Sequence, residues 1–504
     1  MLRVTRTENG MVRGLPAADP LITVYKGIPF AAPPVGENRW RVPQPAQNWE
    51  GVRDCYTYAP AALQQIPGVD FENMYVKEFW SAGFAMSEDC LYLNVWTPAR
   101  SADERLPVMI WIHGGGMQCG YTFEPEFDGM QIARRGVVLV SIPYRVSALG
   151  FLAHPELTAE TGGVGCTNFG LYDQKAALDW VKRNIAAFGG DPDNITIFGQ
   201  SAGGRSVLFQ LTTPLNAPGA FHRAINQSGG GIGGGAMSHY PTLAEAERGG
   251  EAFFAYLGVK TLAEARALPG ETIRRKGVEF CAKFRWGVSI DGHFVPDDPN
   301  GRLVRGERLP VPLLCGYTKD DIGAFSLGDT VAAFEAMVRE RFPEHADEIL
   351  SLSGAASGDM AEVRKNCRMN GQHFGLELLA MRAADSGLPA YFYEFAADMP
   401  GDDAGTFHSA ELWFVFNTLG ISWRPFTGAH YELARQVCDY WTNFAKTGDP
   451  NGMGMDGAAL PAWEPYTAAA PRMMEFRDVP AMSGEPQPAV RAMLDCAAEQ
   501  LWRK

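Results

Sequence analysis

The 504-residue sequence contains no apolar run approaching the roughly 18 residues that a membrane-spanning helix requires, and its first stretch, MLRVTRTENGMVRG, has basic residues without the apolar core of a secretory leader. No bilayer insertion is expected. It also has no excess of positive charge: 44 Lys and Arg stand against 58 Asp and Glu, a formal charge of −14. That balance argues against nucleic acid or an anionic membrane as partner and suits a neutral or cationic small molecule. Cysteines 55, 90, 119, 166, 281, 315, 367, 438 and 496 occur singly, with no CxxC or other metal-ligand spacing. They read as small buried residues of a reducing compartment, and the cytoplasm is the expected location. The glycine-rich SGGGIGGG at 228–235 lacks the following Lys-Ser/Thr of a phosphate cradle, so it reads as a flexible loop. No linker or low-complexity stretch divides the chain.

What the sequence does have is material for a large core, with 46% hydrophobic residues. Short, nearly continuous apolar runs recur at 106–116, 136–145, 194–199, 223–229, 311–316 and 390–395, as expected of strands covered on both faces. Between them lie amphipathic helical patterns. In DQKAALDWVKRNIAAFGGDP, Ala177, Trp180, Val181 and Ile185 share a face, Asp173 falls in the first turn, and Gly189 and Gly190 end the element. Near the C-terminus Leu433, Val437, Trp441 and Phe444 form a second stripe that stops at Gly448. Strand alternating with helix predicts an α/β fold, a mostly parallel sheet with helices on both sides, in one domain spanning 1–504. The more polar, irregular stretches at about 234–310 and 325–385 are expected to be insertions capping the sheet.

The chemistry is concentrated in NITIFGQSAGGRSV, Asn194 to Val207. A strand leads into Gly199-Gln200-Ser201-Ala202-Gly203, a G-x-S-x-G turn, and a helix follows. Side chains at the flanking positions of so sharp a turn would collide with the neighbouring strand or helix, so small residues are a steric requirement. The serine hydroxyl is thereby presented at the carboxyl end of the sheet, beside the free N–H groups of a helix N-terminus. A place for the charge that develops on an attacked carbonyl is supplied by IHGGGM, Ile112 to Met117, directly after a strand. The bland alternative is a plain loop in which His113 merely packs; the order HGGG and then G-x-S-x-G favours an oxyanion hole.

These residues resemble a known family. GIPFAAPPVGENRWRVPQP (27–45), SEDCLYLNVWTP (87–98), VMIWIHGGG (108–116), IPYRVSALGFL (142–152), the stretch 168–204 and FHSAELWFVF (407–416) are similar to the type-B carboxylesterases, the α/β-hydrolases related to cholinesterases, and in particular to bacterial para-nitrobenzyl esterases. The resemblance implies an α/β-hydrolase fold and a Ser–acid–His triad. Ser201 is the implied nucleophile and His408 the implied base, while histidines 345, 373 and 430 are expected to be structural. The family's acid, usually glutamate, falls in CGYTKDDIGAF at Asp321, with Asp320 open as the alternative. The implied oxyanion donors are the N–H groups of Gly115, Gly116 and Ala202, with Met117 where an aromatic is usual. Arg39 with Glu88 and Arg145 with Asp173 are implied ion pairs, and Ser228 a serine near the triad.

The family's first disulfide would join Cys90 to a position near Ala62, where no cysteine stands; Cys55 stays open as a partner. The sequons at Asn194 and Asn226 fall in expected strands, where a glycan would not fit. The expectation is therefore a serine carboxylesterase that hydrolyses small-molecule esters through an acyl-enzyme, with no cofactor and no metal, as monomer or dimer. A lipase, a hydroxycinnamoyl esterase or a catalytically silent cholinesterase-like interaction protein are the alternatives. Phe71, Phe123, Phe284, Trp286, Trp413 and Phe416 either line the pocket or fill the core.

Overall fold

In the computed structural model, described here for all residues except 66–73, 80–82, 234–238, 324 and 504, the apolar runs assemble into one large sheet. Its strands, in chain order, are β1 (Leu15–Pro16), β2 (Thr23–Pro29), β3 (Tyr92–Thr97), β4 (Leu106–Ile112), β5 (Val138–Ile142), β6 (Gly190–Gln200), β7 (Arg223–Gln227), β8 (Leu313–Thr318), β9 (Ala390–Phe395), β10 (Met474–Phe476) and β11 (Ala481–Met482). Across the sheet they run β11-β10-β9-β8-β7-β6-β4-β5-β3-β2-β1. From β10 to β5 neighbouring strands are parallel; the pairs β5–β3, β3–β2, β2–β1 and β10–β11 are antiparallel. This is the doubly covered arrangement of the α/β-hydrolase fold.

Why the runs are apolar throughout is visible in where alternate residues go. On β4, Val108, Ile110 and Ile112 enter one core, while Met109 and Trp111 enter another on the opposite face. The first core is closed by helix α1 (Phe169–Asn184), which contributes Ala177, Trp180 and Val181, and by helix α2 (Ala202–Thr212), which contributes Val207 and Phe209. The second is closed by helix α3 (Gly428–Thr447) through Leu433, Val437, Trp441 and Phe444. Each such aliphatic or aromatic side chain, fully withdrawn from water, contributes about 1.5–3 kcal/mol. Gly448, in the left-handed region at φ 84°, ends α3 where the sequence pattern stops.

One expectation is corrected, and two readings that the sequence left open are resolved. Asp173 is not in a first turn: α1 begins at Phe169, and Asp173 is buried one turn further in, where it accepts from Arg145. The stretches expected to be helical or irregular insertions are largely helical, with helices at Leu243–Leu257, Leu262–Ala267, Gly270–Phe280 and Pro299–Arg305, then Val331–Arg341, Ala346–Ser353, Met360–Asn366 and Gly371–Asp385. Their polar composition reflects one wet face, not absent structure. Cys55 and Cys90 are both buried, unbridged thiols. Among the described residues no helix is long and apolar enough to cross a membrane. Asn226 of the second sequon is fully buried in β7, and Asn194 is half-buried and hydrogen-bonded to the Lys446 carbonyl.

Both expected ion pairs form. Arg39 is bidentate to Glu88 at 2.6 and 2.7 Å. Arg145 holds Asp173 at 2.8 and 2.7 Å, with side chains 4% and 0% exposed. Removing one partner strands the other charge in a dry interior, which typically costs about 3–5 kcal/mol, whereas replacing both by apolar groups is often close to neutral. Asp173→Ala is therefore expected to lose about 3–5 kcal/mol in urea unfolding, and the double variant Arg145→Met/Asp173→Leu to recover most of that loss.

Candidate active site

Ser201 occupies the single residue between β6 and α2, with φ 57° and ψ −123°. A serine does not choose that conformation unaided; the surroundings impose it. Its N–H donates to the Gln227 carbonyl of β7 at 2.8 Å, and its carbonyl accepts from Arg205 N at 2.9 Å. The flanking glycines are steric necessities: a Cβ on Gly203 would collide with the Ile112 carbonyl oxygen of β4, and one on Gly199 with the Gly203 backbone. The nucleophile's helix is thus pressed directly against the strand that leads into the HGGG loop.

In that loop His113 is a packing residue, as the bland alternative had it, yet it helps to shape the turn. Its ring stacks on Tyr144 with centroids 4.3 Å apart, and its Nδ1 donates to the Gly114 carbonyl at 2.9 Å. Burial pushes its pKa down to about 4, so it is neutral near pH 7. The Gly115 carbonyl is taken by the N–H groups of Gln118 and Cys119. The amides of Gly115 and Gly116 donate no hydrogen bond to any described residue, and that of Ala202 begins a helix, where no intrahelical acceptor exists. None of these three N–H groups has an acceptor among the described residues.

His408 is 5% exposed on the loop after β9. Its Nδ1 lies 2.5 Å from Asp321 Oδ1, and its Nε2 accepts from the Gln200 amide at 3.2 Å, at the residue just before Ser201. The carboxylate on one side and an amide donor on the other select the tautomer with hydrogen on Nδ1 and a lone pair on Nε2. Asp321 is fastened in turn: Oδ2 accepts from Ser228 Oγ at 2.6 Å and Thr318 N at 3.1 Å, and Oδ1 from Ile322 N at 2.7 Å. Asp320 does something different. Its backbone and carboxylate bind Thr406 O and Thr406 N at 3.0 and 2.8 Å, zipping the acid's loop to the histidine's.

The other expected positions separate cleanly. His345 pairs with Glu348, buried His373 with Glu377 at 2.7 Å, and His430 caps α3 with Thr427. Phe416 packs among Trp111, Phe127 and Phe198, and Trp413 donates to buried Glu78, so both are core. Trp286 is 1% exposed, Phe284 and Phe123 are half-buried, and Phe71 lies outside the described residues. Ser228 and Met117 stand beside the triad acid and the oxyanion loop respectively. Among the described residues no cluster could hold a metal ion.

Known proteins resemble this chain along nearly its whole length. The profile of the carboxylesterase family matches residues 2–489. The fumonisin B1 esterase of Sphingopyxis macrogoltabida is 34% identical over 89% of this chain and 82% of its own length. The acetylcholinesterase of Bungarus fasciatus is 32% identical over 97% and 85%, and the cocaine esterase of Homo sapiens 32% over 99% and 91%. Among solved structures, a PNB esterase superposes with TM-score 0.78 at 27% identity, covering 98% of this chain and 99% of that one. A carboxylesterase of Geobacillus stearothermophilus does so with TM-score 0.76 at 32% identity, covering 97% and 99%.

One group that sequence reasoning missed is Glu411, three residues past His408 and fully buried. It accepts from Gln227 Nε2 at 3.3 Å, while its Oε2 has no partner among the described residues. Burial, then the negative charge of Asp321, push its pKa up to about 7 from 4.5. A raised folded value means that its contribution to stability is intact below about pH 4.5 and is lost as pH rises through about 7. Over that window the loss amounts to about 3 kcal/mol. Glu411→Gln cannot ionise, so urea unfolding at pH 5 and pH 8 is expected to show a smaller fall in stability than the parent, by up to about 3 kcal/mol.

Proposed function

This chain belongs to the carboxylesterase family, and from that premise we propose that Ser201, His408 and Asp321 perform its ester hydrolysis as nucleophile, general base and orienting acid. The enzyme is a serine carboxylesterase acting on small-molecule esters. The observation that supports these roles is the 2.5 Å contact of Asp321 with His408 Nδ1 while Nε2 faces the residue adjoining Ser201.

The steps follow from the groups present. Ser201 Oγ attacks the ester carbonyl carbon as its proton passes to His408 Nε2, displacing the Gln200 amide from that lone pair. The carbonyl oxygen becomes an oxyanion bound by the N–H groups of Gly115, Gly116 and Ala202, each such donor being worth about 2.7–4 kcal/mol of barrier. The bond to the alkoxy oxygen breaks, and that oxygen takes the proton from Nε2 and departs as alcohol. Water then adds to the acyl-enzyme carbonyl, giving a proton to Nε2, and Ser201 leaves with that proton as the carboxylic acid is released. Throughout, Asp321 keeps the imidazole in one tautomer and balances the imidazolium that forms twice per turnover.

Asp320, beside it in sequence, serves the loop junction instead. Hydrolysis of 4-nitrophenyl butyrate separates the two carboxylates. Ser201→Ala is expected to lower kcat on the order of 10⁶-fold and to abolish labelling by a fluorophosphonate probe. Asp321→Asn is expected to cost about 10⁴-fold. Asp320→Asn should cost far less than Asp321→Asn; the reverse ranking would transfer the acid's role to Asp320.

A further inference from the structure

Two arginines, one four residues past Ser201 and one beside the glycine loop, have no counter-ion among the described residues. Arg205 lies one turn into α2, four residues beyond the nucleophile, and is 5% exposed. Among the described residues its guanidinium makes no hydrogen bond, ion pair or ring contact, and its buried Nε is unpartnered. Side chains on a helix lean toward its N-terminus and stack over the residue four positions earlier, so this one leans back toward the turn that carries Ser201. The chain opposite makes room with glycine: a Cβ on Gly230 would collide with Arg205 Nη2. The hydroxyl of Tyr240, within reach of the Arg205 charge, is likewise buried without a partner.

Arg285 comes from a different segment. Its Nη2 lies 2.9 Å from where a Cβ would stand on Gly116, and it too has no hydrogen bond or ion pair among the described residues. Its loop is tied to the oxyanion loop by Gln118, whose amide donates to the carbonyls of Gly116 and Trp286 and whose Oε1 accepts from Cys281. The glycine run gives a direction. A Cβ on Gly114 would stand 3.2 Å from Ser201 Cβ and 3.3 Å from Gln200 Oε1, on the side where Gln200 meets His408. Gly116, at the other end, abuts Arg285. The departing alcohol must lie at the histidine's end to collect its proton, which leaves the arginine's end to the acyl group.

We propose that Arg205 and Arg285 form a carboxylate receptor on the acyl side of the site, so that the preferred substrates are esters whose acyl group carries a free carboxylate, those of dicarboxylic and polycarboxylic acids. This rests on the Ser201 reading above. Arg205, buried without a counter-ion among the described residues, is costly to keep, Arg285 is exposed and adds its charge beside Gly116, and the planar guanidinium fork is the geometry that a carboxylate completes. The overall charge of −14 gives an anionic ester no general attraction, so recognition has to be local.

The test compares 4-nitrophenyl hemisuccinate with 4-nitrophenyl butyrate, in which a methyl replaces the terminal carboxylate. The parent enzyme is expected to have the higher kcat/KM on the hemisuccinate. The ratio should fall at least tenfold in Arg205→Met and in Arg285→Gln, fall further in Arg285→Glu, and be partly restored in Arg285→Lys. 4-Butyryloxybenzoate, with its carboxylate on the leaving group, should show no such dependence on either arginine. A parent preference for butyrate, ratios that stay within threefold in the variants, or an equal effect on the benzoate would overturn the inference. So would an Arg205→Met protein with a lowered melting temperature and equal losses on both esters, the signature of a structural arginine. If the inference alone fails, Ser201-dependent butyrate hydrolysis persists; if the triad reading fails, hydrolysis survives Ser201→Ala.

Discussion

Helix α2 approaches strand β4 so closely that no side chain fits between Gly203 and the Ile112 carbonyl, and the rest of the site depends on that contact. It forces the chain to turn within one residue, which is why Ser201 sits at φ 57° and ψ −123°. It also sets the first amide of α2 beside the amides that follow β4, since both elements are held at the same edge. The proposed nucleophile and the proposed oxyanion donors are therefore one piece of backbone packing, with no flexible side chain to be ordered when the transition state forms.

Asp321 and His408 arrive on loops, and loops need other means of restraint. Asp320 bridges them through Thr406, and Asp321 is gripped by Ser228 and two backbone amides before it meets His408. Burying so much carboxylate around one imidazole has a cost, and it surfaces at Glu411, whose ionisation is held off to about pH 7 by burial and by Asp321. The same tension between packing and function recurs at Arg205. A cation in a dry place with no counter-charge makes physical sense if a substrate supplies the missing anion. Relatives that share the catalytic chemistry bear the names of quite different esters. On the proposal above, selectivity in this chain lies in the walls around the triad, such as Arg285 beside Gly116.

Much of this was legible in the chain. Runs such as VMIWI and NITIFG had to be strands because a residue pair alternating into two cores leaves no polar position, and the glycines around Ser201 had to be a turn because of sterics alone. Ser201, His408 and the oxyanion amides rest on local signals of this kind and on the order in which they occur. The polar stretches at 234–310 and 325–385 stayed open between helix and irregular chain, because hydrophilic composition does not distinguish a half-exposed helix from a loop.

Local pattern determined the strands, the helices, the strained serine and the glycine loop, because steric exclusion and hydrophobic periodicity act over a few residues. Tertiary structure decided which of Asp320 and Asp321 faces His408, that Glu411 is raised beside them, that Arg205 is buried with its Nε unpartnered among the described residues, and that Arg285 stands against Gly116. Those outcomes hinge on distances between segments up to about two hundred residues apart and on how much water each charge retains, and neither quantity is encoded at any single position of the sequence.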